Sequence, residues 1–214
     1  MFKEDLIIVR HARSKFNMRE SDDLDDKLTT FGLKQARNVG EFFAHGIDVS
    51  GFDFFTSPLL RCLQTSQSIV AQFETPPQPR ILPQLREYLN HSGRAVTVPN
   101  RKVIYTDMNW DIYPDEGETY DEEFNETFLC RMHDAYLNLS NKSIVVTHGL
   151  PALTLMHIAT ETRTNSVPVW DHSIDNASIT VIKKGRLVWR GRNLFHEEYY
   201  DNKIYHKDLT GVMR

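Results

Sequence analysis

The chain has 214 residues, of which 40% are hydrophobic, and a formal net charge of -4. This length fits one large domain, or one domain with an insert, whose core needs no metal or disulfide. The small negative charge gives no reason to expect nucleic acid or an anionic membrane surface as a partner. Two cysteines, Cys62 and Cys130, make no disulfide framework and favour a reducing compartment. No apolar run near the N-terminus has the length of a signal-peptide core or a membrane span, so we expect a cytoplasmic protein.

Short apolar runs alternate with amphipathic stretches along most of the chain, a pattern that predicts strands alternating with helices. In chain order these are a strand at 6–9, a helix to about 44, a strand at 52–56, a helix to about 73, a strand at 80–82, a helix at 121–139, a strand at 143–147, a helix at 151–159, and hairpin strands at 178–182 and 186–190. Two helix starts carry capping signals. Thr29 or Thr30 is the N-cap of the first helix, and Ser57 is the N-cap of the second with Pro58 at its first helical position.

Residues 90–116 interrupt this alternation, because prolines and scattered aromatic residues leave no regular period there. Excursions of this length inside a compact domain are usually functional. We therefore predict an α/β fold with a mostly parallel central sheet, formed by residues 1–214 as one domain. Residues 90–116 are predicted to be a loop-rich insert over the active site that selects the substrate.

Three of the predicted strands end in an abrupt polar turn. Arg10 and His11 follow the first strand, Arg61 lies one turn into the helix after the second, and His148 precedes Gly149 after the fourth. Parallel strands end at one edge of a sheet, where helix N-termini also favour anions. Arginine binds phosphate through a two-pronged contact, and a neutral histidine can attack phosphorus. The sequence thus predicts a phosphate pocket that contains two histidines.

Several segments resemble the signature blocks of one known family. Residues 10–14 (Arg-His-Ala-Arg-Ser) with Asn17 resemble the Arg-His-Gly-x-Ser-x-x-Asn signature of the histidine phosphatase (phosphoglycerate mutase-like) superfamily. Further blocks of that family are similar to residues 28–36, 57–65, 85–87, 147–149 and 176–178, in the same order. The resemblance implies a three-layer α/β/α sandwich.

The resemblance also implies a role for individual residues. His11 would be the nucleophile that becomes phosphorylated, and Glu87 would protonate the leaving oxygen and then activate water. The residues that would hold the phosphoryl group or assist in holding it are Arg10, Ser14, Asn17, Arg61 and His148. Glu118 is the rival for the acid role. No metal or other cofactor is implied, because fixed arginine and histidine donors would meet the charge of the phosphoryl group.

Two departures from the family pattern bear on activity. Ala12 stands where glycine is usual, which would strain the backbone if that position needs a positive φ. Residues 87–91 (Glu-Tyr-Leu-Asn-His) lack the mutase-type run Glu-Arg-His-Tyr-Gly. We therefore predict a metal-independent phosphatase acting on a small phosphorylated molecule or a phosphopeptide. A mutase and a catalytically weak binding module of the same fold are the alternatives, and the sequence leaves the substrate and the oligomeric state open.

Overall fold

The computed structural model describes residues 2–21, 23, 25–88, 96–98, 101–106, 109–114, 118–120, 123–161 and 174–194; between 96 and 120 it describes the backbone only. The strands are β1 (Asp5–Arg10), β2 (Asp53–Thr56), β3 (Arg80–Ile81), β4 (Val96–Val98), β5 (Arg101–Thr106), β6 (Asn109–Pro114), β7 (Glu118–Tyr120), β8 (Lys142–Thr147), β9 (Ser178–Lys183) and β10 (Arg186–Asn193). The α-helices are α1 (Thr30–His45), α2 (Leu60–Val70), α3 (Asn125–Asn138) and α4 (Gly149–Ala159).

Six strands form the central sheet in the order β10-β9-β1-β8-β2-β3. β1 pairs in parallel with β8, β8 with β2, and β2 with β3, whereas β9 pairs antiparallel with both β1 and β10. The prediction of a mostly parallel sheet with a closing hairpin is confirmed. The carboxyl ends of β1, β2 and β8 consequently meet at one edge.

Helices cover both faces of this sheet, which confirms the three-layer architecture. Side chains of a strand point alternately to its two faces, and in β1 Ile7 and Val9 pack in one buried cluster while Leu6 and Ile8 pack in the other. The first cluster includes apolar residues of α1 and α2, and the second includes those of α3 and α4. A strand buried on both faces is almost wholly apolar, as the sequence of β1 is. In the described part of the chain, no helix is both long enough and apolar enough to cross a membrane.

The start of α1 is fixed by its cap and by a close approach of the backbone. Thr29 is the N-cap, and its hydroxyl accepts a hydrogen bond of 2.9 Å from the backbone N–H of Gly32. A Cβ atom on Gly32 would lie 2.1 Å from the carbonyl oxygen of Arg13. Glycine is therefore required where the helix contacts the segment that follows β1.

The predicted start of α2 is wrong. The helix begins at Leu60, two residues later than the Ser-Pro signal indicated, and its N-cap Leu59 offers no side-chain acceptor. It also ends at Val70 instead of about residue 73. The hydroxyl of Ser57 hydrogen-bonds to the ring of His148, so a contact between distant segments replaces the local cap.

The interval predicted as a loop-rich insert contains strands. β5 pairs antiparallel with β6, and β4 pairs antiparallel with β7. The sequence lacks a helical period there because its aromatic and β-branched residues are extended and pair locally. The remaining residues of 90–116 lie outside the described part of the chain, and the role of this insert in substrate selection stays a prediction. The following helix, α3, begins at Asn125, four residues later than predicted.

Candidate active site

The predicted phosphate pocket lies where β1, β2 and β8 end. His11 directly follows β1, and its backbone N–H donates to the carbonyl oxygen of Thr147 at 2.8 Å. His148 directly follows β8, and Arg61 lies in the first turn of α2. All three side chains are buried, and the two histidine rings meet edge to face with their centroids 5.2 Å apart. The fold thus brings together residues that are up to 137 positions apart in the sequence.

The contacts of its two ring nitrogens hold His11 in one tautomer. Nδ1 lies 2.7 Å from the carbonyl oxygen of Ala12, which can only accept, so Nδ1 carries the proton. Nε2 accepts a hydrogen bond of 3.2 Å from Nε of Arg61. Burial, reinforced by the charges of Arg61 and Arg10, places the pKa of His11 well below 6.5. The ring is therefore neutral at pH 7, with a lone pair on Nε2.

Arg10 contributes a partly buried cation beside the two histidines. Its Nη1 donates to the carbonyl oxygen of Ile174, but its Nε is buried without a hydrogen-bond partner among the described residues. A buried donor without a partner costs about 1–3 kcal/mol unless a ligand satisfies it. Arg10 and Arg61 thus favour an anion in this pocket.

His148 is the second neutral imidazole. Its Nε2 lies 2.8 Å from Oγ of Ser57 and 3.4 Å from Sγ of Cys62, and its Nδ1 lies 3.8 Å from Oε2 of Glu87. Burial, followed by the nearby charge of Arg61, places the pKa of His148 well below 6.5. Both histidines are therefore uncharged at pH 7, and the positive charge of the pocket comes from the arginines.

Glu87 reaches the pocket from the segment after β3. Its side chain is 22% exposed, so the carboxyl group contacts both His148 and solvent. One carboxyl oxygen accepts a hydrogen bond of 3.0 Å from the backbone N–H of Tyr88. The backbone of its rival Glu118 lies in β7, and the structure does not describe the Glu118 side chain. Of the two candidate acids, Glu87 is the one whose position beside the histidines is observed.

The segment that carries Glu87 is fastened to α3 by Arg131. Nη1 of Arg131 donates to the carbonyl oxygens of Gln84 at 2.5 Å and Arg86 at 2.9 Å, and Nη2 donates to that of Glu87 at 3.3 Å. Nε and Nη2 also each donate to one oxygen of Glu123, both at 2.6 Å. The guanidinium thereby fixes three carbonyl groups of the segment that carries Glu87 and neutralises a buried carboxylate.

Ser14 and Asn17 bind each other in the turn after β1. Oδ1 of Asn17 accepts from the backbone N–H and from the hydroxyl of Ser14, both at 3.1 Å. Nδ2 of Asn176 donates to that same oxygen at 3.1 Å and to the carbonyl oxygen of His11 at 3.0 Å. The observed contacts of both predicted residues therefore organise the loop that holds His11.

Ala12 is accommodated without backbone strain. It is absent from the described residues with positive φ, its side chain is fully buried, and its N–H donates to Oγ1 of Thr65 at 3.1 Å. The strain that alanine would cause at a left-handed position does not arise here.

Sequence reasoning missed Ser57, Arg131 and Asn176 as residues of the site. Asn176 begins one of the family-like blocks, and the other two carry a local signal. Ser57 follows a buried strand directly, as His11 and His148 do, and Arg131 lies on the same helix face as the buried Phe128 and Ala135. A charged residue among apolar positions at helical spacing indicates a buried pair. Among the described residues, no three side chains of His, Cys, Asp or Glu are grouped so as to hold a metal ion.

The strand ends of a mostly parallel sheet gather two arginines and two neutral histidines, which makes this an α/β protein with a pocket suited to an anion such as phosphate. The sequence model of the histidine phosphatase superfamily (branch 1) matches residues 6–194, and the chain belongs to this superfamily.

Relatives within the superfamily include enzymes of two kinds. The chain is 26% identical to the fructose-2,6-bisphosphatase TIGAR of Xenopus laevis, over 90% of this chain and 75% of the relative. It is 25% identical to a 2,3-bisphosphoglycerate-dependent phosphoglycerate mutase of Methylocella silvestris, over 76% of this chain and 84% of the relative.

Solved structures share the fold at low sequence identity. TTHB049 from Thermus thermophilus superposes with a TM-score of 0.53 at 18% identity, covering 87% of this chain and 97% of the other. A mycobacterial glucosyl-3-phosphoglycerate phosphatase superposes with a TM-score of 0.53 at 16% identity, covering 83% and 89%. These likenesses confirm the predicted fold class.

Proposed function

We propose that this protein is a metal-independent phosphatase that hydrolyses phosphomonoesters of small molecules through a phosphohistidine at His11. The observation that carries the proposal is the state of the His11 ring, which is neutral and keeps its proton on Nδ1 against the carbonyl of Ala12. A lone pair on Nε2, directed into a pocket with two arginines, is what attack on a phosphoryl group requires.

In the first step, Nε2 of His11 forms a bond to phosphorus as the ester P–O bond breaks. Glu87 gives its proton to the leaving alcohol oxygen. In the second step, water attacks the phosphohistidine, Glu87 takes back a proton from that water, and the P–N bond breaks to release inorganic phosphate. General acid–base assistance of this kind contributes about 10²- to 10⁴-fold.

Arg10, Arg61 and His148 are the residues that hold the phosphoryl oxygens in this proposal. The Nε of Arg10, which has no hydrogen-bond partner in the described part of the chain, and the guanidinium of Arg61 beside His11 supply donors where negative charge develops. The substrate is a small phosphorylated molecule, as the name of the Xenopus relative indicates for that protein. The mutase relative makes transfer to a second hydroxyl the competing outcome of the test.

The test compares His11→Ala with His133→Ala, because His133 is an exposed histidine of α3 that the proposed chemistry does not use. Phosphate release from p-nitrophenyl phosphate and from a panel of sugar phosphates is measured with EDTA present. We expect wild-type turnover in EDTA, inhibition by vanadate, unchanged activity in His133→Ala, and a loss of about 10³-fold or more in His11→Ala, whose circular dichroism stays native.

Three results would contradict the proposal. If His11→Ala keeps more than about a tenth of wild-type kcat/KM, its loss of transition-state stabilisation is under about 1.4 kcal/mol, and His11 is not the nucleophile. Turnover that EDTA abolishes and a divalent metal restores contradicts metal independence. Isomerisation of a monophosphate that depends on an added bisphosphate, with little release of phosphate, identifies a mutase instead.

A further inference from the structure

The ring of His148 is held on one side by two side chains of the β2–α2 segment. Oγ of Ser57 lies 2.8 Å from Nε2, and Sγ of Cys62 lies 3.4 Å from the same nitrogen. All three residues are buried. Neither Ser57 nor Cys62 has a part in the proposed chemistry, so their common contact with Nε2 needs another explanation.

Both groups have a proton to offer to Nε2. The hydroxyl oxygen of Ser57 accepts a hydrogen bond of 3.4 Å from the backbone N–H of Leu59, which leaves the hydroxyl proton for the ring. Burial raises the pKa of the Cys62 thiol to about 12, so this thiol keeps its proton at neutral pH. Nε2 therefore faces two potential donors and no group that can only accept.

The other nitrogen of the ring faces an acceptor. Nδ1 lies 3.8 Å from Oε2 of Glu87, a carboxyl oxygen that can accept a hydrogen bond, and it also lies 3.8 Å from Sγ of Cys62, which is closer to Nε2 at 3.4 Å. A neutral imidazole carries one proton, which is more stable on the nitrogen that faces the acceptor. The surroundings on both sides thus favour the proton on Nδ1.

We propose that Ser57, with Cys62 beside it, is a positioning residue that keeps neutral His148 in the tautomer protonated on Nδ1. This inference rests on the proposed function, in which His148 holds a phosphoryl oxygen, and it adds that the Nδ1–H is the group that donates to that oxygen. The opposite tautomer would direct a lone pair at that oxygen and repel it.

The same arrangement distinguishes the two histidines. Both rings carry the proton on Nδ1, but a backbone carbonyl fixes it in His11, whereas Ser57 fixes it in His148 by occupying Nε2. The hydrogen bond from Arg61 to Nε2 of His11 is one that a bound phosphoryl oxygen can replace, whereas Nε2 of His148 keeps its contact with Ser57. The contact with Ser57 thereby makes His148 a hydrogen-bond donor, whereas His11, which has no such contact, is the nucleophile.

The experiment compares Ser57→Ala with a matched control, Ser66→Ala. Ser66 is also fully buried, and its hydroxyl bonds Thr56 and not the histidines. Side-chain ¹⁵N–¹H correlation spectra of protein labelled in its histidines report which nitrogen of His148 carries the proton. Titration with inorganic phosphate reports the affinity of the pocket without any need for turnover.

We expect the wild type and Ser66→Ala to show His148 protonated on Nδ1. Ser57→Ala should show a mixture of tautomers and bind phosphate about tenfold more weakly, the loss of one hydrogen bond. A wild-type spectrum with the proton on Nε2 overturns the proposal even if Ser57→Ala does not fold. An unchanged tautomer and affinity in Ser57→Ala, or either change without the other, also overturns it. The proposed function has its own test in His11→Ala, so the two ideas can fail separately.

Discussion

Replacing Arg131 by methionine should destabilise the protein severely. The change removes the cation that forms a two-pronged pair with Glu123, and these two side chains are only 8% and 5% exposed. Arg86, whose Nη2 is 3.5 Å from Glu123, is the remaining cation beside that carboxylate among the described residues. Breaking a buried ion pair by removing one partner costs about 3–5 kcal/mol, a large part of the 5–15 kcal/mol that stabilises a typical domain.

A double variant separates the two contributions to this loss. Arg131→Met combined with Glu123→Gln removes the buried charge but still leaves the carbonyls of Gln84, Arg86 and Glu87 without the guanidinium. The double variant should therefore recover part of the stability and not all of it, since a buried acceptor without a donor costs about 1–3 kcal/mol.

Urea unfolding followed by tryptophan fluorescence at pH 7 measures these free energies. Arg37→Met is the matched control, because Arg37 pairs with Glu41 on the surface of α1 and is 67% exposed. An exposed pair contributes about 0–1 kcal/mol, so this control should stay close to the wild type. A loss below about 1 kcal/mol in Arg131→Met, or equal losses in the two arginine variants, would refute the reasoning.

Two further predictions concern protons. Glu87→Gln should slow phosphorylation of His11 by alkyl phosphates by about 10²-fold or more, but by p-nitrophenyl phosphate much less, because a leaving alkoxide needs a proton and a nitrophenolate does not. Single-turnover rates on both substrates measure this, with Glu118→Gln in parallel. A leaving-group-dependent loss in Glu118→Gln alone would assign the acid role to Glu118. His11 and His148 have native pKa values well below 6.5, so the unfolded chain takes up protons first and the free energy of unfolding should fall as the pH drops below 6.5. Each histidine contributes a slope of up to about 1.4 kcal/mol per pH unit, and denaturant titrations of His11→Ala should show a shallower dependence than those of His133→Ala.

The sequence alone determined the fold class and most of the pocket. Buried strands have continuous apolar runs, and the polar residues that end β1 and β8 follow those runs directly, so His11 and His148 could be placed from local pattern and topology. Arg61 followed from its place shortly after the second predicted strand, and in the structure it lies in the first turn of α2. The carboxyl ends of parallel strands must meet, and this rule of topology converts three separate local signals into one site.

Only the tertiary structure decided what three other residues do. Ser57 carries a local helix-cap signal, but its hydroxyl bonds a ring 91 positions away. Arg131 contacts carbonyl groups more than 40 positions earlier in the chain, and Asn176 bonds the backbone of His11, 165 positions earlier. A propensity or a cap signal describes what a residue prefers among its neighbours in sequence. In the folded protein a buried polar group must instead satisfy whichever donors and acceptors packing brings to it, because leaving one of them unpaired costs more than a local cap gains.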